Sequence, residues 1–127
     1  MHEDIAKKSY IESIGSSLGA EVAARLRALA DTDAGWDGSD AEAMSLDSLS
    51  SLETFFRTAG RFSDDIGFFL GYEGEILINW EDRTGSLIDM SFFDGYAEIS
   101  SDLEDRRFAI HDPDLYHRFA NKNLIQA

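Results

Sequence analysis

The chain has no cysteine and a single proline among its 127 residues. Without cysteine it cannot form disulfides, thiolate metal sites or a thiol nucleophile. No stretch approaches the roughly 18 consecutive apolar residues of a membrane-spanning helix, so we expect none. The acidic N-terminus lacks the apolar run of a secretory signal. Together these absences predict a cytoplasmic protein.

Basic residues are scarce: 11 Lys and Arg stand against 25 Asp and Glu, for a formal net charge of −14. The imbalance lies in residues 28–105, where 19 acids face three bases (Arg57, Arg61 and Arg83), a net charge of −16. A field of this sign repels nucleic acid and anionic membranes and attracts basic proteins. The expected partner is therefore a basic protein, with no direct binding to nucleic acid or membrane.

The apolar content is sufficient for a core, since 43% of the residues are hydrophobic and nine Phe, four Tyr and two Trp are present. This composition argues against disorder. The length is typical of one domain. We predict a single domain over residues 1–127, with a helical part (1–60), a sheet (66–101) and a short C-terminal helix (112–122).

Apolar residues recur at three- and four-residue steps in the first third of the chain, which predicts helices; they are Ile11, Ile14, Leu18, Val22, Leu26 and Leu29. Gly15 and Gly19 interrupt this stripe. Because each glycine costs about 1 kcal/mol in a helix interior, we expect a break there and a second helix over Ala20–Ala30. After a loop, Ser45 is a good N-cap for a further helix over Ser45–Ala59.

From Ile66 onward the apolar period changes to two, which predicts strands: Phe68–Tyr72, Glu75–Glu81, Ser86–Phe93 and Tyr96–Ser100. Glu73-Gly74 and Asp94-Gly95 fit two-residue hairpin loops, and Arg83-Thr84-Gly85 fits a three-residue loop. Arg106–Ile110 is a weaker fifth candidate, and Asp112-Pro113 is a typical helix start. The predicted fold is α+β: a four-stranded antiparallel β-meander with the N-terminal helices packed on one face.

These loops set a register that can be tested. They place Ile78 opposite Met90, with Phe69 and Ile99 continuing the same face, which should lie under the helices. The second face would carry Phe68, Leu70, Tyr72, Leu77, Leu87, Phe93 and Tyr96, mixed with Glu75, Asn79, Glu81, Asp89 and Glu98. Such a mixture is unusual for a face in contact only with solvent. Either the C-terminal helix or a second copy covers it, or it is a docking patch with aromatic anchors and an acidic rim.

Catalytic constellations are hard to find. Asp89 and Glu98 share the second face and, with Glu75 or Glu81, could bind a divalent cation, although a solvated acidic surface is the simpler interpretation. The three histidines have no zinc-site spacing, and neither a nucleophile elbow nor a phosphate loop occurs. We therefore predict a protein that is not an enzyme and has no metal or cofactor.

Gly35-Trp36-Asp37-Gly38 is the most distinctive tetrapeptide. Two glycines allow a tight turn, and the Asp37 carboxylate can close it by accepting a hydrogen bond from the backbone two residues on. We expect Trp36 to plug the core between the helices and the sheet edge. The alternative is a binding tryptophan displayed by an acidic loop.

With this loop the chain resembles a group of small, largely uncharacterised bacterial and phage proteins. They share G-W-D-G, a Ser-capped helix, a strand ending in Trp and a β-meander. The matching positions lie within roughly residues 20–100 and are Gly35-Trp36-Asp37-Gly38, Ala41, Ser45–Ala59, Gly74, Ile76, Trp80 and Asp94-Gly95. The chain departs from the group in lacking a proline before the capping serine. Some members belong to mobile elements or toxin–antitoxin-like gene pairs, so the resemblance implies an α+β fold and a role beside a partner, without naming an active residue.

The prediction that combines these observations is a small acidic module that neutralises a basic, nucleic-acid-binding protein. Antitoxins, immunity proteins, anti-CRISPR proteins and DNA mimics act in this stoichiometric, non-catalytic way. The predicted contact residues are Asp37, Asp40 and Glu42 of the loop and Glu75, Asp89, Phe93, Tyr96 and Glu98 of the sheet. The alternatives are a self-associating structural module, such as a homodimer, and a metal-dependent hydrolase at Asp89 and Glu98.

Overall fold

The computed structural model describes residues 2–59, 66–81, 85–101 and 104–116. These residues form three helices, five strands and a final short helical turn (113–116), which confirms the predicted α+β class. The helices are α1 (His2–Leu18), α2 (Ala20–Ala30) and α3 (Leu46–Ala59). The strands are β1 (Gly67–Leu70), β2 (Ile76–Glu81), β3 (Leu87–Phe92), β4 (Tyr96–Ser100) and β5 (Asp105–Ala109).

The predicted break between the first two helices is confirmed at Gly19. This residue has φ +110°, a conformation that glycine adopts without steric cost. Gly15 lies where the two helices touch, since a Cβ there would be 2.7 Å from the Cβ of Ala23. The glycines that interrupt the apolar stripe therefore make the turn and allow α2 to pack closely on α1.

Helix α3 joins the helical layer to the sheet through its serines. Ser45 is the predicted N-cap: its Oγ accepts a hydrogen bond from the Ser48 amide at 3.2 Å. Ser48 Oγ accepts from the Ile76 amide at 2.8 Å, and Ser51 Oγ accepts from the Gly95 amide at 3.0 Å. Two backbone donors of the sheet therefore find their acceptors on a helix.

The sheet is an antiparallel meander with the strand order β1-β2-β3-β4-β5. The prediction of four strands is wrong by one, because the candidate at Arg106–Ile110 pairs along β4 as a full strand. Its period-two signal is weak, since Phe108 is the only buried side chain within β5. The remaining positions of this edge strand are polar or small, as is typical of edges protected against further pairing.

Two of the three predicted hairpin registers are confirmed. Ile78 pairs with Met90, and Met90 pairs with Ile99, as expected for a three-residue loop ending at Gly85 and a two-residue loop at Asp94-Gly95. Gly85 has the left-handed φ of +85° that the first of these loops requires.

The predicted register of β1 is wrong by one residue. Phe68, not Phe69, lies opposite Ile78. The cause is the turn, which contains Tyr72, Glu73 and Gly74: the Gly74 amide donates to the Gly71 carbonyl at 3.0 Å and Gly74 has φ +82°. One extra loop residue exchanges the two faces of a strand. Phe68 is consequently 3% exposed in the core, Leu70 packs against the core, and Phe69 is 44% exposed on the opposite face.

The core lies between the helices and one face of the sheet, and aromatic rings fill its centre. The ring centroid of Phe55 lies 5.4 Å from that of Phe56 and 5.3 Å from that of Phe92. Residues 113–116 are helical after Asp112, as predicted, and bury Leu115 completely. The rest of the predicted C-terminal helix and Arg83-Thr84 of the predicted three-residue loop lie outside the described residues. None of the described helices combines the length and the apolar character needed to cross a bilayer.

Candidate protein-binding surface

The tryptophan loop, residues 35–42, is held by its own backbone and by Asp37. The Gly35 amide donates to the Ala41 carbonyl at 2.6 Å, and the Gly38 amide donates to the Gly35 carbonyl at 2.9 Å. Asp37 Oδ1 accepts from the Ser39 and Ala41 amides at 2.8 and 3.2 Å, which confirms its predicted role in the turn. Gly35 and Gly38 have φ of +81° and +83°, so the tetrapeptide needs both glycines.

The prediction that Trp36 plugs the core is wrong: its side chain is 42% exposed. The indole Nε1–H donates to the Glu42 carbonyl at 2.9 Å. The N–H group of a buried tryptophan usually needs a hydrogen-bond partner, and here the loop supplies that partner at the surface. The space at the centre of the core is occupied by Phe55, Phe56 and Phe92. The loop therefore displays Trp36 in a fixed orientation.

The tryptophan loop is docked on the β1–β2 turn. The Glu42 amide donates to the Tyr72 carbonyl at 2.9 Å, and the Ser45 amide donates to the Gly74 carbonyl at 2.8 Å. Gly74 is buried against this segment, where an added Cβ would overlap the carbonyl oxygen of Ala43. The loop and the turn consequently form one surface, and the Tyr72 side chain on it is 53% exposed.

The tryptophan loop and the β1–β2 turn also carry carboxylates. Asp37, Asp40, Glu42 and Glu73 are all exposed. Glu75 is partly buried, and its Oε1 accepts from the Glu73 amide at 2.9 Å, so this predicted contact residue stabilises the turn. The three loop carboxylates and Glu75 are therefore brought to one end of the sheet, as the interpretation of an acidic docking site requires.

The outer face of the sheet, defined as the face away from the helices, contains the other predicted contact residues. Its side chains follow from the strand registers and are Phe69, Leu77, Asn79, Glu81, Leu87, Asp89, Ser91, Tyr96, Glu98, Ser100, Asp105, Arg107 and Ala109. Phe68 and Leu70, which were predicted here, lie on the core side. Phe69 and Leu87 remain 44% and 51% exposed, so apolar surface and carboxylates are mixed on this face.

A column of stacked groups crosses the outer face at β4 and β5. The rings of Phe93 and Tyr96 stack at 5.0 Å, and the Arg107 guanidinium lies 4.6 Å from the Tyr96 ring centroid. Arg107 also donates from Nε and Nη2 to Glu98 Oε2, at 3.2 and 2.9 Å. These hydrogen bonds raise the pKa of Arg107 above its ordinary value. Arg107 of β5 thus forms an ion pair with Glu98 of the neighbouring strand β4.

A shallow groove of about 470 Å³ runs beside this column. Asp89, Glu98, Asp105 and Arg107 contribute to its walls. Glu98 already has a cationic partner in Arg107, whereas Asp89 is partly exposed one step away along β3. Asp89 and Glu98 were predicted to share the second face of the sheet, and both line this groove. Of the two, Asp89 has the greater capacity for an external cation.

Two features of the surface were missed by sequence reasoning. Tyr72 was assigned to a strand, although the Gly71–Gly74 spacing is typical of a turn that displays the residues between its glycines. Arg107 was not placed on the outer face, because the faces of β5 follow only from its pairing with β4.

The described residues contain no group of three or more His, Asp or Glu side chains that could hold a metal ion. No protein-family model, curated protein or solved structure matches the chain.

Proposed function

We propose that the chain is a small acidic protein of the cytoplasm that binds and neutralises a basic, nucleic-acid-binding protein, one molecule to one and without catalysis. We place it, as part of this proposal, with the G-W-D-G proteins of mobile elements and toxin–antitoxin-like gene pairs. The partner's own anionic ligand would be displaced by the carboxylates of this chain.

The observation that carries the proposal is the open outer face. The three helices pack on the opposite side of the sheet. Among the described residues of these helices, Arg25 of α2 reaches around β1 to the outer face, where its guanidinium lies 5.8 Å from the Phe69 ring centroid. Leu87 and Phe69 are about half exposed there, beside Asp89, Glu81 and Asp105. Apolar anchors within an acidic surround fit a protein partner of opposite charge better than they fit solvent.

The balance of charge supports the same partner. Of the three bases within residues 28–105, Arg57 belongs to the described part, and it is paired with Glu53 at 3.7 Å. Arg107 on the outer face is paired with Glu98. These two described cations are thus paired within the molecule, and the excess of carboxylates remains to steer a basic partner toward the surface.

The test is capture followed by reconstitution. The tagged protein is exposed to lysate of its native host at about 50 mM and about 500 mM NaCl, and each recovered protein is then purified and mixed with it. We expect a basic protein that binds in a 1:1 complex, loses its nucleic-acid binding, and associates more slowly as salt screens the charges.

A matched pair of variants locates the interaction. Asp40→Asn with Asp89→Asn removes two charges from the proposed surface, and Glu12→Gln with Glu21→Gln removes two from exposed positions of α1 and α2. Only the first variant should slow association. Equal slowing by both variants, or a complex insensitive to salt, would contradict the proposed surface. Recovery of nothing but an untagged second copy would favour the self-associating module instead.

A further inference from the structure

We propose that Trp36 and Tyr72 form the anchor of this surface and that they bind an arginine or lysine side chain in an extended segment of the partner. The proposal rests on the proposed function, because it names the group that the acidic surface receives. It concerns the end of the sheet at which the tryptophan loop meets the β1–β2 turn.

The first argument is that an exposed tryptophan is held rigid here. Trp36 is 42% exposed, yet its indole N–H is fixed on the Glu42 carbonyl at 2.9 Å. The loop that holds it needs two left-handed glycines and two hydrogen bonds to Asp37. A ring that is already oriented loses little conformational entropy when a partner binds, and such preorganised aromatic side chains are typical hot spots.

The second argument is that the backbone of a second exposed aromatic residue, Tyr72, is bonded to the same residue that holds Trp36. The Glu42 carbonyl accepts from Trp36 and the Glu42 amide donates to Tyr72, both at 2.9 Å. The tryptophan loop and the β1–β2 turn are therefore joined at Glu42, and each presents one exposed aromatic side chain. Two such side chains on joined segments offer a partner more contact area than Trp36 alone.

The third argument is charge complementarity. Residues 31–42 contain five acids and no base, and Glu73 adds a further carboxylate beside Tyr72. The faces of Trp and Tyr rings attract cations, with Trp the stronger. A guanidinium or ammonium group is the one common side-chain group that gains from both the rings and the carboxylates. The occupant is consequently a basic side chain, in preference to an apolar anchor.

The probe is an acetylated and amidated nonapeptide in which three arginines alternate with serines and glycines. Its control contains citrulline in place of arginine, which keeps the shape and removes the charge. Trp80 is 2% exposed and is replaced by Phe, so that Trp36 is the only tryptophan. We expect saturable binding of the arginine peptide, reported by Trp36 fluorescence and calorimetry, and no binding of the citrulline peptide.

Substitutions and fluorination distinguish binding by the two aromatic rings from general electrostatic attraction to the acidic surface. Trp36→Leu and Tyr72→Ser should each weaken binding of the arginine peptide about tenfold. Ile5→Ser, at an exposed apolar position of α1 outside the proposed surface, should leave it unchanged. If Trp36→Leu also loosens the loop, fluorotryptophan at position 36 keeps the indole N–H and weakens the ring's attraction for cations. Affinity should then fall stepwise with each added fluorine.

The outcomes separate this inference from the proposed function. Binding of the arginine peptide that depends on salt but is unaffected by Trp36→Leu and by fluorination would overturn the anchor and leave the acidic surface standing. Equal binding of the arginine and citrulline peptides would also overturn it. Loss of peptide binding on fluorination, in a protein that captures no basic partner, would support the anchor and refute the neutraliser.

Discussion

At the scale of single residues, serines supply hydrogen-bond acceptors that the sheet lacks. Ser48 is buried, and its hydroxyl oxygen accepts from the Ile76 amide at 2.8 Å where β2 begins. A buried amide without a partner costs about 1–3 kcal/mol. Ser51 serves Gly95 in the same way. Polar residues on the inner side of α3 therefore fix how the helix sits on the sheet.

Replacing Ser48 by alanine should lower the free energy of unfolding by about 1–2 kcal/mol. The loss of the acceptor for Ile76 exceeds the roughly 0.5 kcal/mol that alanine gains in helix propensity. Urea denaturation measures the difference. Ser50→Ala is the matched control in the same helix, since the Ser50 hydroxyl makes only a long 3.4 Å contact with Tyr10. A Ser48→Ala variant as stable as Ser50→Ala would refute the role given to Ser48.

Tyr116 ties the C-terminal helical turn to the core. Its hydroxyl donates to the Ile110 carbonyl at 2.6 Å, and its ring stacks on Phe55 with centroids 5.7 Å apart. Burial raises the pKa of Tyr116 above its ordinary value, while a hydrogen bond with Thr58 and the charge of Arg57 oppose that shift. The folded protein therefore retains this proton at pH values where the unfolded chain loses it.

Stability should decrease as the pH rises above about 10, the ordinary pKa of tyrosine. The unfolded chain binds fewer protons than the folded protein in that range, so the free energy of unfolding falls with pH until the folded pKa is passed. Tyr116→Phe should flatten this slope, although it costs about 1 kcal/mol at neutral pH through the lost hydrogen bond. Tyr72→Phe removes one exposed hydroxyl as a control. An unchanged slope in Tyr116→Phe would show that other groups cause the alkaline loss.

At the scale of elements, the β1–β2 turn decides which side chains enter the core. The three turn residues set a register in which Phe68 faces the core and Phe69 faces outward. The Gly74 carbonyl of this turn also accepts a hydrogen bond from the amide of Ser45, the N-cap residue of α3. Gly74 has φ +82° and lies against Ala43, whereas Gly85, with φ +85°, has open space around it. The two glycines thus share a conformation and differ in their surroundings.

This contrast predicts different costs for the same substitution. Gly85→Ala should lose about 1 kcal/mol, the cost of a left-handed alanine. Gly74→Ala should lose at least ~2 kcal/mol more, because its Cβ would overlap the Ala43 carbonyl oxygen and displace the segment that leads to α3. Thermal or urea unfolding of both variants tests this. Equal losses would mean that the close approach of Gly74 to Ala43 contributes nothing to stability.

Some of these elements could be predicted from the sequence and others could not, depending on whether a short segment carries the necessary pattern by itself. The limits of α2, the N-cap at Ser45 and the two later hairpin registers follow from patterns that a short segment carries by itself. The length of the turn after β1 cannot be predicted in this way, because Glu73-Gly74 fits a two-residue loop as well as it fits the end of a three-residue loop. Phe68 and Phe69 are equally apolar, so the pattern could not choose between them.

At the scale of the whole molecule, the separation into layers was predictable and the position of Trp36 was not. The change of apolar period from helical to alternating near Ile66 corresponds to the change from helices to sheet. Whether a large ring is buried depends on the space left by the rest of the core, and Phe55, Phe56 and Phe92 fill that space. The excess of carboxylates was predictable from composition, whereas the exposure of Trp36 depends on the geometry of its loop.

The negative charge concentrated in residues 28–105 also lowers the free energy of unfolding. A net charge of −16 in this segment repels itself more strongly in the compact state than in the unfolded chain. Raising NaCl from about 20 to about 300 mM should therefore increase the free energy of unfolding by about 1 kcal/mol, or ~4 °C in the thermal midpoint. Differential scanning calorimetry at several salt concentrations measures the trend.

Neutralising part of the acidic loop should reproduce the effect of salt. Asp40→Asn with Glu42→Gln removes two exposed charges without touching the carboxylate of Asp37, whose hydrogen bonds close the loop. This variant should be more stable than the wild type at about 20 mM NaCl and should gain less from added salt, because there is less repulsion to screen. Glu12→Gln with Glu21→Gln, in the charge-balanced first 27 residues, should keep the wild-type salt dependence. If the loop variant is instead less stable at low salt, the carboxylates of Asp40 and Glu42 hold the loop together, and their acidity is part of its structure.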